Sequence, residues 1–504
     1  MVIAPISLIS AILLVHAHAL TLSPRPEYTG DTVAPDFASF SIEFWCLPDY
    51  TGNTSHPNTF IQQILRNLKD VTGTSPAIRV GGTSADTTFF SASLDVPIIL
   101  PPDSFGVFQP DNVTYGPAYF DYFRTFADDT TLTIGINLAD NSSTHITNAG
   151  DEASAAISAL GKSLAAIEIG NEPDLYIPTL RPSTYNQSDY VDEWLTISQH
   201  VHTDSLPDLP LQFGALARPP TDALGFQLET LLDFGITSDP RARVFSQHHY
   251  FFDNPGAEPQ LATLMNHTHT ANQIAPFLLT AADARTQGIK YIIGETSSAS
   301  GGGRAGISDV FGAALWVLDY LLYAASSDVR QMFFHQHTNH TDVVKAYPYT
   351  AFQPVPIGGA GPSVRPMYYG ILAFDAALGK GKSVINLSDD AHLPAYALYE
   401  GGRLDTVVVV NMNLHNATST SLDGRSSQTV ILALPNGAHS VTPRFLTAPG
   451  GDAQDNITFD GYAVRNTTGR LESVGEPAKP LHVSGGKYEL APKDSGAVVI
   501  SISY

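Results

Sequence analysis

Two glutamates stand where short apolar runs give out. Ala166-Ile167-Glu168-Ile169-Gly170 leads into Asn171-Glu172-Pro173, and Lys290-Tyr291-Ile292-Ile293-Gly294 leads into Glu295. Runs of this kind are what a strand buried on both faces looks like, so both carboxylates are expected where strands reach a surface. Hydrolysis of a glycosidic bond with retention needs one carboxylic acid to protonate the leaving oxygen and one carboxylate to attack the anomeric carbon, about 5–5.5 Å apart. Either glutamate alone would be an ordinary solvated loop carboxylate. Two at the ends of strands of one barrel meet the chemical demand.

The elements that must position them repeat eight times. Strands are expected over residues 37–42, 77–80, 131–137, 165–170, 211–215, 243–247, 290–294 and 330–334, each a short, nearly continuous apolar segment. Helical spacing of apolar residues, with Gly or Pro near the ends, predicts helices over 59–71, 151–164, 187–202, 271–287 and 309–325, and a last one around 367–378. Eight β-then-α units predict a (β/α)8 barrel over 37–380, with catalytic groups at the carboxyl ends of its strands. Glu172 then follows the fourth strand and Glu295 the seventh. From about residue 383 the pattern has period two, over 395–399, 405–411, 428–434, 440–446 and 496–501, which predicts a C-terminal antiparallel β-sandwich over 381–504. Residues 20–36 precede the first barrel strand and are expected to lend the sandwich a strand. Only Trp45, Trp194 and Trp316 occur in the chain, so the tail has no tryptophan for stacking sugars and reads as structural.

Several of these segments share a further pattern. Gly294-Glu295-Thr296-Ser297-Ser298-Ala299-Ser300-Gly301-Gly302-Gly303, with Ser308-Asp309-Val310-Phe311 and Ala314-Leu315-Trp316-Val317-Leu318-Asp319 after it, resembles the nucleophile region of glycoside hydrolase family 79, which includes heparanases and β-glucuronidases. Asn171-Glu172-Pro173, Ser41-Ile42-Glu43 and Arg79-Val80-Gly81-Gly82-Thr83-Ser84 match the same family, although Asn-Glu-Pro alone is shared by many barrel glycosidases. The resemblance implies Glu172 as acid/base and Glu295 as nucleophile. Asn171, beside the acid, suits the sugar 2-hydroxyl, a contact that strengthens toward the transition state. Tyr250 resembles the family tyrosine that bonds the nucleophile, and Glu43 would accept from sugar hydroxyls. Gly301 and Gly302, with Gly303, let backbone N–H groups approach an anion, and in the family this loop receives the uronate carboxylate. The family has Tyr just before these glycines where this chain has Ser300. A second family tyrosine corresponds to Tyr349 or Tyr347, with Tyr349 preferred.

These residues imply an exo-acting β-glucuronidase that releases glucuronate or its 4-O-methyl ether. The alternatives are a heparanase-like endo enzyme, a barrel glycosidase of other sugar specificity, which Ser300 keeps open, and a non-catalytic glycan-binding barrel, which retention of both glutamates opposes. A formal charge of −23 disfavours a sulfated polyanion and excludes nucleic acid as a partner.

The compartment is legible too. Residues 1–19 hold an apolar run closed by Ala17-His18-Ala19, the mark of a cleaved leader, and no later run is long enough to span a membrane. Sequons at Asn53, Asn112, Asn141, Asn186, Asn266, Asn339, Asn386, Asn416, Asn456 and Asn466 fit a secreted chain with N-glycans on some of them. Cys46 is the only cysteine, so no intramolecular disulfide braces the fold. His335, His337 and His340, like the pair His248-His249, lack zinc-ligand spacing, and Gly81-Gly82 lacks the lysine of a phosphate loop. They are expected to line the pocket, with no metal or cofactor.

Overall fold

Strands β1 (Ala38–Glu43), β2 (Ile78–Gly81), β3 (Leu132–Ile136), β4 (Leu164–Ile169), β5 (Leu211–Leu216), β6 (Ala242–Phe252), β7 (Lys290–Ala299) and β8 (Met332–Gln336) pair in parallel in chain order. Strand β8 pairs back onto β1, Met332 opposite Ala38 through Gln336 opposite Ile42, and closes the barrel. This computed structural model describes residues 19–100, 110, 112–252, 259–338, 347–356, 361–418 and 424–504. The expected leader up to residue 18, Asn339 and His340 lie outside them.

All eight strands form where the apolar runs place them, but β6 and β7 run on past the rim. They were expected to stop at Gln247 and Gly294 and instead reach Phe252 and Ala299. The extensions pair with each other, His248 opposite Glu295 and Tyr250 opposite Ser297. Thr296 Oγ1 donates to the His249 carbonyl at 2.5 Å, so polar residues that look like a loop are satisfied as a ribbon. The α-helices of six or more described residues are α1 (Thr59–Thr72), α2 (His145–Leu160), α3 (Gln187–Ser198), α4 (Leu228–Asp233), α5 (His267–Thr286), α6 (Phe311–Ala325) and α7 (Pro366–Leu378). Helix α2 starts and ends earlier than expected, because Leu164 is taken by β4, and α3 stops at Ser198. After β2 the layer is completed by a 3-10 helix, Pro117–Thr125, whose Tyr119, Phe120 and Phe123 are buried.

The inside of the barrel is layered by chemistry. Ala77, Val244, Ile292 and Phe333 form a small apolar cluster of their own. Toward the carboxyl ends come buried Ser41, Arg79, Glu168, Gln212 and His335. Alternate residues of the same strands, such as Phe40, Ile78, Val80, Ile134 and Ile167, join the main core under the helices. Period two along each strand thus separates a polar interior from an apolar exterior.

Strands β9 (Ser383–Ser388), β10 (Ala395–Glu400), β11 (Arg403–Asn411), β12 (Val430–Ala433), β13 (Ser440–Thr447) and β14 (Gly496–Ser503) build the C-terminal part. The larger sheet is antiparallel in the order β9-β10-β11-β14-β13 and continues through short strands, while β12 pairs with Lys487–Leu490 and, in parallel, with Leu20–Leu22. Ala395, Ala397 and Tyr399 pack against Val430, Leu432 and Leu22, while Tyr396 and Leu398 on the other face join the barrel core. This second covering explains why every residue of α7 is buried, and every residue of α6 except Tyr323. A polar tie crosses the seam: Tyr396 donates to Asp319 Oδ1 at 2.6 Å, and Asp319 also meets His267 Nδ1 at 3.0 Å. No helix among the described residues is long and apolar enough to cross a membrane.

Helix α2 buries a carboxyl. Glu152 accepts from the Tyr115 hydroxyl and from the Asn137 N–H, and burial pushes its pKa from 4.5 to about 8. A folded value above the unfolded one means that this group favours the fold at low pH and that the contribution fades as pH rises toward 8. Glu152→Gln should therefore raise the thermal midpoint by a few degrees near pH 8 and much less near pH 5. Scans at the two pH values check this, and an equal shift at both would contradict it.

Candidate active site

Arg79 projects from β2 into the barrel and is buried at its centre. Its Nε and Nη2 donate to Glu168, its Nη1 donates to Ser41 Oγ at 2.9 Å and Glu295 Oε2 at 2.8 Å, and its Nη2 also reaches Asn171 Oδ1 at 2.8 Å. Burial disfavours the guanidinium charge, but Glu168 and Glu295 more than offset it and hold the group protonated. Gln212 Nε2 donates to the second oxygen of Glu168, which is thus engaged from both sides.

Glu295 lies within β7, directly across from His248. Tyr250 donates to its Oε1 at 2.5 Å, and Arg79 holds its Oε2. Burial pushes the Glu295 carboxyl up, but His335, His248, Arg79 and the Tyr250 hydroxyl outweigh it and hold the carboxyl well below the usual carboxylate range. Glu172 follows β4 with a left-handed backbone, φ 51°, uncommon for a residue with a side chain. Its N–H donates to the Ala215 carbonyl at 2.9 Å, and Ala215, near the end of β5, is left-handed as well. Its Oε1 meets His248 Nδ1 at 2.8 Å. One ligand atom from each of Glu172, His248 and Glu295 lies within 4.8 Å of the others, so the two glutamate side chains face one another. The three could ligate an ion, yet Glu295 is already bonded by a guanidinium on one oxygen and a phenol on the other. That partner set suits a charge-holding pair better than a metal site.

The other expected residues gather around this pair. Asn171 is held by Arg79 on its side-chain oxygen and by Asp86, which accepts its N–H at 2.9 Å; its amide NH2 has no partner among the described residues. Asp86 also accepts from Leu138 N–H and the Tyr176 hydroxyl, and burial pushes its pKa up to about 6. Glu43 is 3% exposed and already accepts from the Ser84 N–H at 2.7 Å, the Ser84 hydroxyl and His335 Nε2 at 3.1 Å. It braces His335, whose Nδ1 lies 3.6 Å from Glu295 Oε2. Gly82 makes room for it, since a Cβ there would sit 2.7 Å from the Glu43 carboxyl carbon.

The glycine loop passes over the two tyrosines. Ser300 N–H donates to the Phe252 carbonyl at 2.9 Å, anchoring the loop to the β6 extension. Gly301, Gly302 and Gly303 all have positive φ, and a Cβ on Gly302 would press on the Tyr347 ring at 2.9 Å. Tyr349 lies nearer the carboxylates, its ring 6.1 Å from Tyr250 and 6.1 Å from His335, while Tyr347 stacks on His337 at 3.9 Å. Arg304 Nη1 donates to the Gly303 carbonyl at 2.9 Å and brings a cation to the loop.

Arg79, Glu168, His248 and His335 were given no specific role from sequence. A signal existed: Ile78-Arg79-Val80 and Ile167-Glu168-Ile169 each place a charge inside an apolar strand, which burial permits only when charges pair.

Comparison with known proteins bears on the whole chain. The family model for the glycosyl hydrolase family 79 C-terminal beta domain matches residues 395–499. The chain is 33% identical over 519 residues to a β-glucuronidase of Aspergillus niger, covering 95% of this chain and 91% of that protein. It is 31% identical over 513 residues to a β-glucuronidase of Neurospora crassa, covering 90% and 89%. Among solved structures, a 4-O-α-L-rhamnosyl-β-D-glucuronidase of Fusarium oxysporum 12S in its Rha-GlcA complex matches with TM-score 0.82 at 26% identity, over 96% of this chain and 100% of that one.

Removing Arg79 would leave two buried carboxylates without their cation. Arg79→Met should cost about 3–5 kcal/mol, and adding Glu168→Leu should recover a substantial part of it. Denaturant unfolding of both variants measures this; a double variant no more stable than the single one would show that the pair is not coupled.

Proposed function

The chain belongs to glycoside hydrolase family 79, and on that premise we propose that it is a secreted, retaining, exo-acting β-glucuronidase that frees glucuronate or its 4-O-methyl ether from glycan ends. The carrying observation is that side-chain oxygens of Glu172 and Glu295 lie within 4.8 Å. Retaining enzymes hold their carboxyl groups about 5–5.5 Å apart, whereas inverting ones leave about 6.5–9.5 Å for a water between them.

In this reading Glu295, held ionised by Arg79 and Tyr250, attacks the anomeric carbon while protonated Glu172 gives its proton to the glycosidic oxygen. The bond between that oxygen and the carbon breaks, and a glycosyl ester forms on Glu295. Glu172, now a carboxylate, takes a proton from water as the water attacks the same carbon, the bond from that carbon to the Glu295 oxygen breaks to regenerate the Glu295 carboxylate, and the sugar leaves with its original configuration. The His248 contact keeps Glu172 in place through both steps. Formation of the ester removes one of Arg79's two counter-charges, and Glu168 remains to balance it. The free amide of Asn171 suits the sugar 2-hydroxyl.

Recognition of the acid falls to the loop Ser300, Gly301, Gly302 and Gly303 with Tyr349. The positive φ of Gly301, Gly302 and Gly303 suits close approach of backbone N–H groups to an anion, in a chain whose net charge otherwise repels anions. The names of the two fungal relatives support the sugar assignment. Secretion is supported by the leader-like residues 1–19 and by the nine described sequon asparagines, none of which is buried, as N-glycans require.

Rates on 4-nitrophenyl β-glucuronide, β-glucoside, β-galactoside and β-xyloside test the reading. The glucuronide should be the best substrate, the first product seen by NMR should be the β-anomer, and Glu295→Gln should lose at least about a thousandfold in kcat. A glucuronide that is the poorest of the four, an α-anomer, or a fully active Glu295→Gln would each refute its part.

A further inference from the structure

Glu172 is held in a backbone conformation that favours glycine. A Cβ there crowds the neighbouring carbonyl oxygen, so the turn that aims this carboxyl has to be fixed from outside it. Two consecutive N–H groups supply the hold. That of Glu172 goes to the Ala215 carbonyl at 2.9 Å, and that of Asn171 goes to Asp86 Oδ2 at 2.9 Å. Asp86 stands in the 3-10 turn Thr83–Thr87 that follows β2, and it ties that strand end to two others. Its Oδ1 accepts the N–H groups of Leu138 at 3.0 Å and Ala139 at 3.4 Å, just after β3. Its Oδ2 accepts the Tyr176 hydroxyl as well as the Asn171 N–H, so the segment from Asn171 to Tyr176 is closed at both ends on one carboxylate oxygen. Glu172 lies inside that closure. Leu138 adds a steric stop, since a Cβ on Gly170 would sit 2.6 Å from its Cδ2.

Asp86 cannot serve as a sugar contact. It is 6% exposed, and each of its oxygens already takes two donors. Burial disfavours its charge, so a carboxylate at this place is a cost that packing alone does not require and that its bonds to the surrounding backbone offset. An amide of the same shape would fail in a defined way. The NH2 group of Asn would face donors, either the N–H groups of Leu138 and Ala139 or that of Asn171.

We propose that Asp86 is a positioning residue for the acid/base: it fixes the turn from Asn171 to Tyr176 and with it the aim of Glu172 at the glycosidic oxygen. The inference rests on the role of Glu172 proposed above. Proton donation matters most for a poor leaving group, so the readout is kcat/KM on 2,4-dinitrophenyl, 4-nitrophenyl and 4-methoxyphenyl β-glucuronides, whose phenols depart with rising need of a proton. If the wild-type chain favours another sugar, the same aryl series on that sugar is used, so the sugar assignment can fail without touching this test. Asp86→Asn should lower kcat/KM about tenfold more on the 4-methoxyphenyl than on the 2,4-dinitrophenyl glycoside, part of the roughly hundredfold that a misplacement of about 1 Å can cost. Glu172→Gln should show a steeper gradient of the same sign. A weakened fold, or a displaced Asn171, would lower all three rates equally, because the sugar is common to them. Where thermal scans show Asp86→Asn unfolded, Tyr176→Phe decides instead, with a smaller gradient expected from the loss of one donor to the same oxygen. Equal losses in the deciding variant beside a gradient in Glu172→Gln would overturn the proposal and leave the acid in place. Equal losses in Glu172→Gln would refute the acid, and the positioning role with it.

Discussion

One guanidinium inside the barrel holds the site together. Burying a cation costs several kcal/mol, which returns only if its hydrogen bonds are filled and its charge is balanced. Arg79 meets both conditions by binding Glu168, Glu295, Ser41 and Asn171 at once. The same bonds that make its burial tolerable fix the rotamers of a candidate nucleophile and a candidate sugar-binding amide. The partners are therefore not interchangeable with a packed apolar core, however stable such a core would be.

The polar interior stands only because the exterior is unusually well covered. Helices α6 and α7 are enclosed between the barrel and the larger C-terminal sheet, whose two faces are both apolar. Each large apolar side chain fully buried there contributes roughly 1.5–3 kcal/mol, in a chain with no disulfide to help. That surplus offsets a centre filled with charge, and Tyr396 on Asp319 ties the two parts by a directional bond.

The two glutamates differ in their neighbours rather than in type. Glu295 is surrounded by Arg79, His335 and His248 and bonded by a phenol, so its charge is favoured. Glu172 sits at a more open rim, its side chain 19% exposed, with His248 as its bonded partner. The left-handed turn that places Glu172 there is held by the β5 end, where Ala215 accepts its N–H. The candidate acid and the candidate nucleophile thus depend on adjacent strand ends and on one shared imidazole.

What the sequence determined by itself was periodic or local. Nearly continuous apolar runs of four to seven residues specify strands buried on both faces, and eight of them separated by helical spacing leave few alternatives to a closed parallel barrel. The order of the strands then brings Glu172, Glu295, Asn171 and Tyr250 to one rim without further information. Contacts made through space were not legible. Glu43 looked open to a sugar and is engaged by Ser84 and His335, 41 and 292 residues away. The extensions of β6 and β7 looked like loops because their polar groups are satisfied only by each other. Arg79 and Glu168 announced a buried ion pair but not their third partner, since which side chains converge inside a closed sheet depends on register and on the direction each strand faces. Tertiary structure alone decided that Glu295 completes that pair.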